Sequence, residues 1–312
     1  MSKVLFGVDL GGTTVKMGLF DPEGTVLEKW EIVTRTEDGG KNILPDIAAS
    51  VKDKMAEKSI SKEDVIGVGI GVPGPVDSSG VIYKAANLGW GIFSIKNELM
   101  SLLDGINVEA GNDANVAALG EMWKGGGQGY SNMVAVTLGT GVGGGIIVDG
   151  KILTGSTGAG GEIGHIHVED NETDVCGCGN CGCLEQFVSA TGVVRLANKA
   201  LAASDTPSAL RGINVTAKDV WDAVKAGDVI AVDIANQYGE YLGKALASIA
   251  CVVNPEIFVI GGGVSKAGEV LIDYMKPHYV KHVFHGSREA KFALATLGND
   301  AGIYGAAKLV LG

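Results

Sequence analysis

The chain of 312 residues carries 25 Lys and Arg against 36 Asp and Glu, a formal net charge of −11. That balance argues against a protein that coats a polyanion with massed cations, and 46% hydrophobic with 20% charged residues argues against a disordered chain. Glycine is the outlier: 49 residues, about twice the usual share of roughly 7%, which predicts many positions of positive φ or close backbone approach to a ligand.

The opening, MSKVLFGVDLGG, holds one lysine and a short apolar run interrupted by Asp9, unlike a signal peptide. No stretch of about 18 apolar residues follows, so a soluble cytoplasmic protein is expected, with no membrane partner. Residues 4–10 read as a buried strand. Gly11-Gly12-Thr13-Thr14 turns the chain into 15–20, and Asp21-Pro22-Glu23-Gly24 turns it again into 25–33, giving an antiparallel meander. A helix is expected over 43–58 and a strand over 65–72, ending at Pro73-Gly74-Pro75. The stretch from Asn112 to Glu121 reads as a helix capped by Asn112 or Asp113. Strands alternating with helices indicate an α/β architecture.

Near Met133 the opening pattern returns. Residues 8–27 align with 136–153 across a gap at Pro22-Glu23, with identities at Val8/Val136, Leu10/Leu138, Gly11/Gly139, Asp21/Asp149, Gly24/Gly150 and Leu27/Leu153. A duplicated domain, each half opening with a glycine hairpin, explains this, although turn chemistry alone forces some of the likeness. Helices are expected over 186–201, 217–226 and 229–251. Asn254-Pro255 then breaks into a strand at 256–260, followed by Gly261-Gly262-Gly263, a helix from Ser265 and a final helix over 299–311.

Gly139-Thr140-Gly141-Val142-Gly143-Gly144 fits a dinucleotide fingerprint, but that motif must open a helix, and the β-branched run behind it predicts a strand. Residues 145–152 match phosphate-loop spacing up to Ile152, which stands where Ser or Thr must bind magnesium. What survives is a pair of strand–glycine turn–strand loops, Asp9 to Thr14 and Leu138 to Gly141. Such turns form anion nests, Thr13, Thr14 and Thr140 add hydroxyl donors, and Asp9 suits Mg²⁺. Asp113, at the start of a helix that keeps a carboxylate ionised, suits proton removal from an alcohol in phosphoryl transfer. The bland alternative is that it only caps.

Cys176, Cys178, Cys181 and Cys183, with His165 and His167 upstream, offer six ligand candidates for a tetrahedral zinc that needs four. Spacing alone leaves the choice open.

These motifs resemble the ROK family of sugar kinases and repressors along essentially the whole chain. The most specific are Glu162-Ile163-Gly164-His165 and the run from Cys176 to Glu185, the family's ExGH and CxCGxxGCxE; the DxGGT loop at Asp9–Thr13 is shared with the actin, hexokinase and Hsp70 superfamily. Within the family the chain is most similar to bacterial glucokinases. The resemblance implies a duplicated ribonuclease-H-like, two-domain α/β fold with an interdomain cleft. The small domain would comprise 1–112 plus 299–312, and the large one 113–298 with the zinc loop. ATP-dependent phosphorylation of a hexose is implied, D-glucose ahead of fructose, mannose, N-acetylmannosamine or N-acetylglucosamine. Asp113 would be the general base, and Asn112, Glu162, His165 and Glu185 would bind sugar hydroxyls. ATP would lie against Asp9, Gly11, Gly12, Thr13, Thr14, Gly139, Thr140, Gly141, Gly262 and Gly263. A structural Zn²⁺ would be held by His165, Cys176, Cys178 and Cys183, with Cys181 and His167 as bystanders. Relatives are commonly homodimers or homotetramers. Family repressors carry a DNA-binding segment before DxGGT; only eight residues precede Asp9, so no nucleic-acid partner is expected. An ATPase acting without sugar is the other rival.

Overall fold

A computed structural model describes residues 3–83 and 85–312. The strands are β1 (Val4–Leu10), β2 (Thr14–Phe20), β3 (Val26–Val33), β4 (Val65–Val72), β5 (Val81–Ile82), β6 (Phe93–Ser94), β7 (Val108–Asn112), β8 (Met133–Leu138), β9 (Val142–Val148), β10 (Lys151–Ile152), β11 (Ile257–Gly261) and β12 (Lys291–Leu294). The helices are α1 (Glu37–Gly40, a single irregular turn), α2 (Ile43–Glu57), α3 (Ile95–Leu102), α4 (Asp113–Lys124), α5 (Glu185–Val188), α6 (Ala190–Ala203), α7 (Ala217–Lys225), α8 (Val229–Val253), α9 (Glu269–His282) and α10 (Ala301–Leu309).

Two five-stranded sheets repeat one order, β3-β2-β1-β4-β7 and β10-β9-β8-β11-β12. In the first, β1 and β2 and then β2 and β3 pair antiparallel, while β4 lies parallel to β1 and β7 parallel to β4. In the second, β11 lies parallel to both β8 and β12. The repeat that aligned 8–27 with 136–153 is therefore a repeat of topology: each half opens with a glycine-turned hairpin whose first strand becomes the sheet's central strand. Two compact units result, one formed by the chain up to Gly129 with Gly145–Gly161 and Leu297–Gly312, the other by Tyr130–Gly144 and Glu162–Thr296.

In the first unit, strand alternation sends Phe6, Val8 and Leu10 to one face, where they join Ile43, Ile47 and Val51 of α2 and Ile95 and Leu99 of α3 in one buried cluster. Leu5 points the other way and packs with Phe20, Ile303 and Ala307. Gly7 lies on that second face too. A Cβ on Gly7 would come 2.0 Å from the Ile303 carbonyl oxygen, and one on Gly69 would come 1.7 Å from that of Ala306. Helix α10 thus lies backbone-to-backbone on β1 and β4, and Gly120 and Gly305 let α4 approach α10 in the same way. That packing groups α4, expected to open the large domain at 113, with the first unit. It also corrects the reading of the glycine surplus: part of it serves helix packing, not ligand approach.

In the second unit α8 runs for 25 residues and ends at Asn254, whose φ of 44° gives a left-handed stop before Pro255. The helix expected over 186–201 is two: Ser189, with ψ 169°, breaks it and caps α6 by accepting a bond from Gly192 N. The helix expected from Ser265 is a 3-10 turn at Val264–Ala267, with α9 starting at Glu269. Strands β7 and β12 and helix α3 had no sequence expectation. Among the described residues no helix is long and apolar enough to cross a membrane.

Candidate active site and metal centre

The first unit gathers its candidate residues at the C-terminal ends of parallel strands, where ligands of α/β sheets bind. Asp9 stands near the end of β1 and Asn112 ends β7. The turn between β1 and β2 is held by Gly11 N donating to Thr14 O at 3.0 Å. Thr34, buried at the end of β3, holds it again: its hydroxyl donates to Gly11 O at 2.7 Å and its N–H to Thr13 O at 2.9 Å. Sequence reasoning missed Thr34, since nothing in its local pattern marks it.

Asp9 shares its face with Gly7, against α10; a Cβ on Gly302 would lie 2.5 Å from its carboxyl carbon. Burial pushes the Asp9 carboxyl from 3.8 up to about 6, with Lys16, its cross-strand partner, pulling down and the charge of Asp113 pushing up.

The cap of α4 is Asn112, settling the choice between the two residues. Its Oδ1 accepts from Ala114 N at 3.0 Å and Asn115 N at 3.1 Å, while Nδ2 donates to Gly74 O at 3.2 Å and to Asp113 Oδ1 at 3.0 Å. Asp113 is the first helical residue, its Oδ1 also accepting from Ala114 N at 2.8 Å.

In the second unit the turn after β8 is closed by Gly139 N donating to Gly141 O at 2.9 Å. The start of α6 fixes it: Ala190 N donates to Gly139 O at 2.8 Å and the Thr191 hydroxyl to Thr140 O at 3.0 Å. Strand β9 follows, not a helix. Glu185, first residue of α5, accepts from Val142 N at 2.8 Å through Oε2, and that oxygen would lie 2.2 Å from a Cβ on Gly141. Gly262 has φ 86° and its Cβ would press on Leu138, so fold geometry alone requires it; Gly263 meets no atom within 4 Å.

The cysteine loop folds as a minimal ribbon, with bridges His167–Cys183 and Val175–Cys181. Gly182, at φ 73°, admits Glu169 O and the His167 ring where a side chain would clash. One ligand atom from each of His165, Cys176, Cys178 and Cys183 lies within 4.8 Å of the others. Cys176 Sγ is 3.8 Å from His165 Nδ1, and Cys178 Sγ is 3.6 Å from Cys183 Sγ. Tetrahedral zinc with Zn–S near 2.3 Å has edges of about 3.7 Å, so the donor set and its spacing fit. Burial and the adjacent Cys178 and Cys176 push the Cys183 thiol up to about 12, so a thiolate there calls for a cation. The other two candidates are engaged elsewhere: Cys181 Sγ faces Thr173 O at 3.7 Å, and His167 bonds Cys181 O at 3.0 Å and Asp170 Oδ1 at 2.8 Å. With Nδ1 turned to the sulfurs, His165 Nε2 faces Glu162 Oε2 at 4.0 Å.

The ROK family profile matches residues 5–312. A glucokinase of Halalkalibacterium halodurans is 45% identical over 311 residues, spanning 97% of this chain and 94% of that protein. Among solved structures, a ROK hexokinase from Thermus thermophilus superposes with a TM-score of 0.81 at 32% identity, covering 98% of this chain and 97% of that one. A ROK glucokinase from Streptomyces griseus, crystallised with glucose and AMPPNP, gives 0.73 at 34% identity, covering 98% of both chains.

Proposed function

The chain belongs to the ROK family, with the actin/hexokinase-like fold of its sugar kinases, and on that footing we propose that it transfers the γ-phosphoryl group of ATP to the 6-hydroxyl of D-glucose. The observation that carries the reading is the near full-length likeness to glucokinases, one of them crystallised with glucose and an ATP analogue.

A neutral hydroxyl is a weak nucleophile, and Asp113 takes its proton as the bond to phosphorus forms. Supporting that role, Asn112 and not Asp113 does the work of capping α4. Asn112, Glu162, His165 and Glu185 bind the sugar hydroxyls. Gly11 to Thr14 and Gly139 to Gly141 cradle phosphate oxygens through hydroxyls and the turns' other backbone N–H groups, those of Gly11 and Gly139 being engaged inside the turns, and Gly262-Gly263 lies on the adenosine side. Gly12 supports the cradle: φ there is not positive and a Cβ would meet no protein atom within 4 Å, so neither strain nor the protein's own packing demands glycine. Asp9 holds Mg²⁺, directly or through water, and a buried carboxylate raised to about 6 is one that a cation would return to its ionised form. Mg²⁺ with ATP supplies positive charge opposite the transferred group. Zinc on His165, Cys176, Cys178 and Cys183 leaves no open position and so is structural. His165, with Nδ1 turned to Cys176, would hold the metal on that side and keep Nε2 for the sugar, and thiols free to bind a metal belong in the reducing cytoplasm.

ADP release with ATP and magnesium, measured across glucose, fructose, mannose, N-acetylmannosamine and N-acetylglucosamine, tests the reading. Glucose should give the highest kcat/KM. A rate that no sugar raises removes the kinase, and a better substrate than glucose removes the glucose assignment.

A further inference from the structure

Helix α5 has four residues, too few to hold itself together, because helix nucleation is costly and propagation must repay it. Its place is set from outside, and one side chain on α6 dominates. Arg195 donates to the Gln186 carbonyl through Nε at 3.2 Å and Nη2 at 2.8 Å, while Nη1 reaches Glu172 Oε2 at 2.6 Å and Asp174 Oδ2 at 3.0 Å. The same guanidinium lies 4.9 Å above the Phe187 ring, which stacks at 4.2 Å on Tyr241 of α8. Tyr241 in turn donates to Glu169 at 2.9 Å. Residues 169, 172 and 174 are the entry to the cysteine loop, so α5 and that entry share their anchors.

Gln186 closes the circuit. Its Oε1 accepts from Cys183 N at 3.0 Å and its Nε2 donates to Asp174 O at 2.8 Å, stapling both ends of the metal loop. The residue before it is Glu185, bonded to Val142 N on one side and 3.8 Å from Cys176 Sγ on the other. Glu172, the partner of Arg195, has a side chain only 5% exposed, so this ion pair is shielded from water, unlike the surface pairs that contribute little.

We propose that Arg195 is a positioning residue: it locks α5, and with it Glu185, to the metal loop, so that zinc retention and sugar affinity both depend on a side chain that is neither a zinc ligand nor a sugar contact. The proposal rests on the reading above, in which Glu185 and His165 bind the sugar and the Cys3His group holds zinc.

The informative variant is Arg195→Lys. Lysine keeps the charge opposite Glu172 but cannot supply the forked pair of donors to Gln186 O. With zinc-loaded protein, metal release to a chromogenic chelator should be at least about tenfold faster than wild type, and the KM for glucose about tenfold higher. The KM for ATP should hold, because Ala190 and Thr191 anchor the Gly139–Gly141 turn without Arg195. Should Arg195→Lys not fold, Gln186→Met, which removes the staple alone, is expected to accelerate zinc release and raise the glucose KM in the same direction. Wild-type zinc release and glucose KM in the folded variant overturn the proposal, and so does an equal rise in both KM values, the mark of general loosening. A wild-type protein that binds no zinc or phosphorylates no glucose instead defeats the functional reading, and the proposal with it.

Discussion

Replacing Asp9 by Asn isolates what burial does to the first glycine turn. The Asp9 carboxyl is pushed from 3.8 to about 6, chiefly by burial. A carboxyl whose folded value exceeds its unfolded value favours the protonated native state. The cost to stability is therefore absent well below pH 3.8, grows as pH rises from there towards 6 because the unfolded chain ionises while the native carboxyl stays protonated, and is constant above that. The gap from 3.8 to about 6 corresponds to about 3 kcal/mol. Asn has nearly the same shape and does not ionise, so without magnesium or nucleotide the Asp9→Asn protein should be more stable than wild type by up to about 3 kcal/mol at neutral pH, with the advantage shrinking to about 0.6 kcal/mol at pH 4. Urea unfolding of both proteins from about pH 4 to pH 8 measures the difference, and acid effects common to both cancel. The same variant should lose turnover, since an amide is a poor magnesium ligand. A variant less stable than wild type at neutral pH, or a difference that stays flat between pH 4 and 6, would refute the burial argument.

Two further outcomes are expected. Asp113→Asn should lower kcat by at least about a hundredfold with the circular dichroism spectrum unchanged, because Asn112 supplies the cap; turnover near wild type would remove Asp113 as the base. Gly69→Ala should destabilise the first unit by at least about 3 kcal/mol, seen in the urea midpoint or in lost soluble yield, because its Cβ would meet the Ala306 carbonyl oxygen at 1.7 Å and backbone cannot step aside cheaply.

The local frame of the candidate site was largely legible in the chain. Turns at Gly11–Thr14 and Gly139–Gly141, the Asn112-Asp113 helix start and the cysteine spacing are local patterns, and local sterics and hydrogen bonding dictate them. The duplication was readable too, because both halves open with the same hairpin. What no window of sequence contains is the approach of distant segments. Only the tertiary structure decided that Gly7, Gly69, Gly120 and Gly305 serve helix α10, that Thr34 clasps the first turn, and that Ser189 splits an expected helix so that α6 can cap the second turn. Among six nitrogen and sulfur candidates, the fold turned His167 and Cys181 to other partners and gathered the remaining four. Spacing states which atoms are within reach of a metal, but the strand pairing and helix anchors around the loop determine which of them point inward.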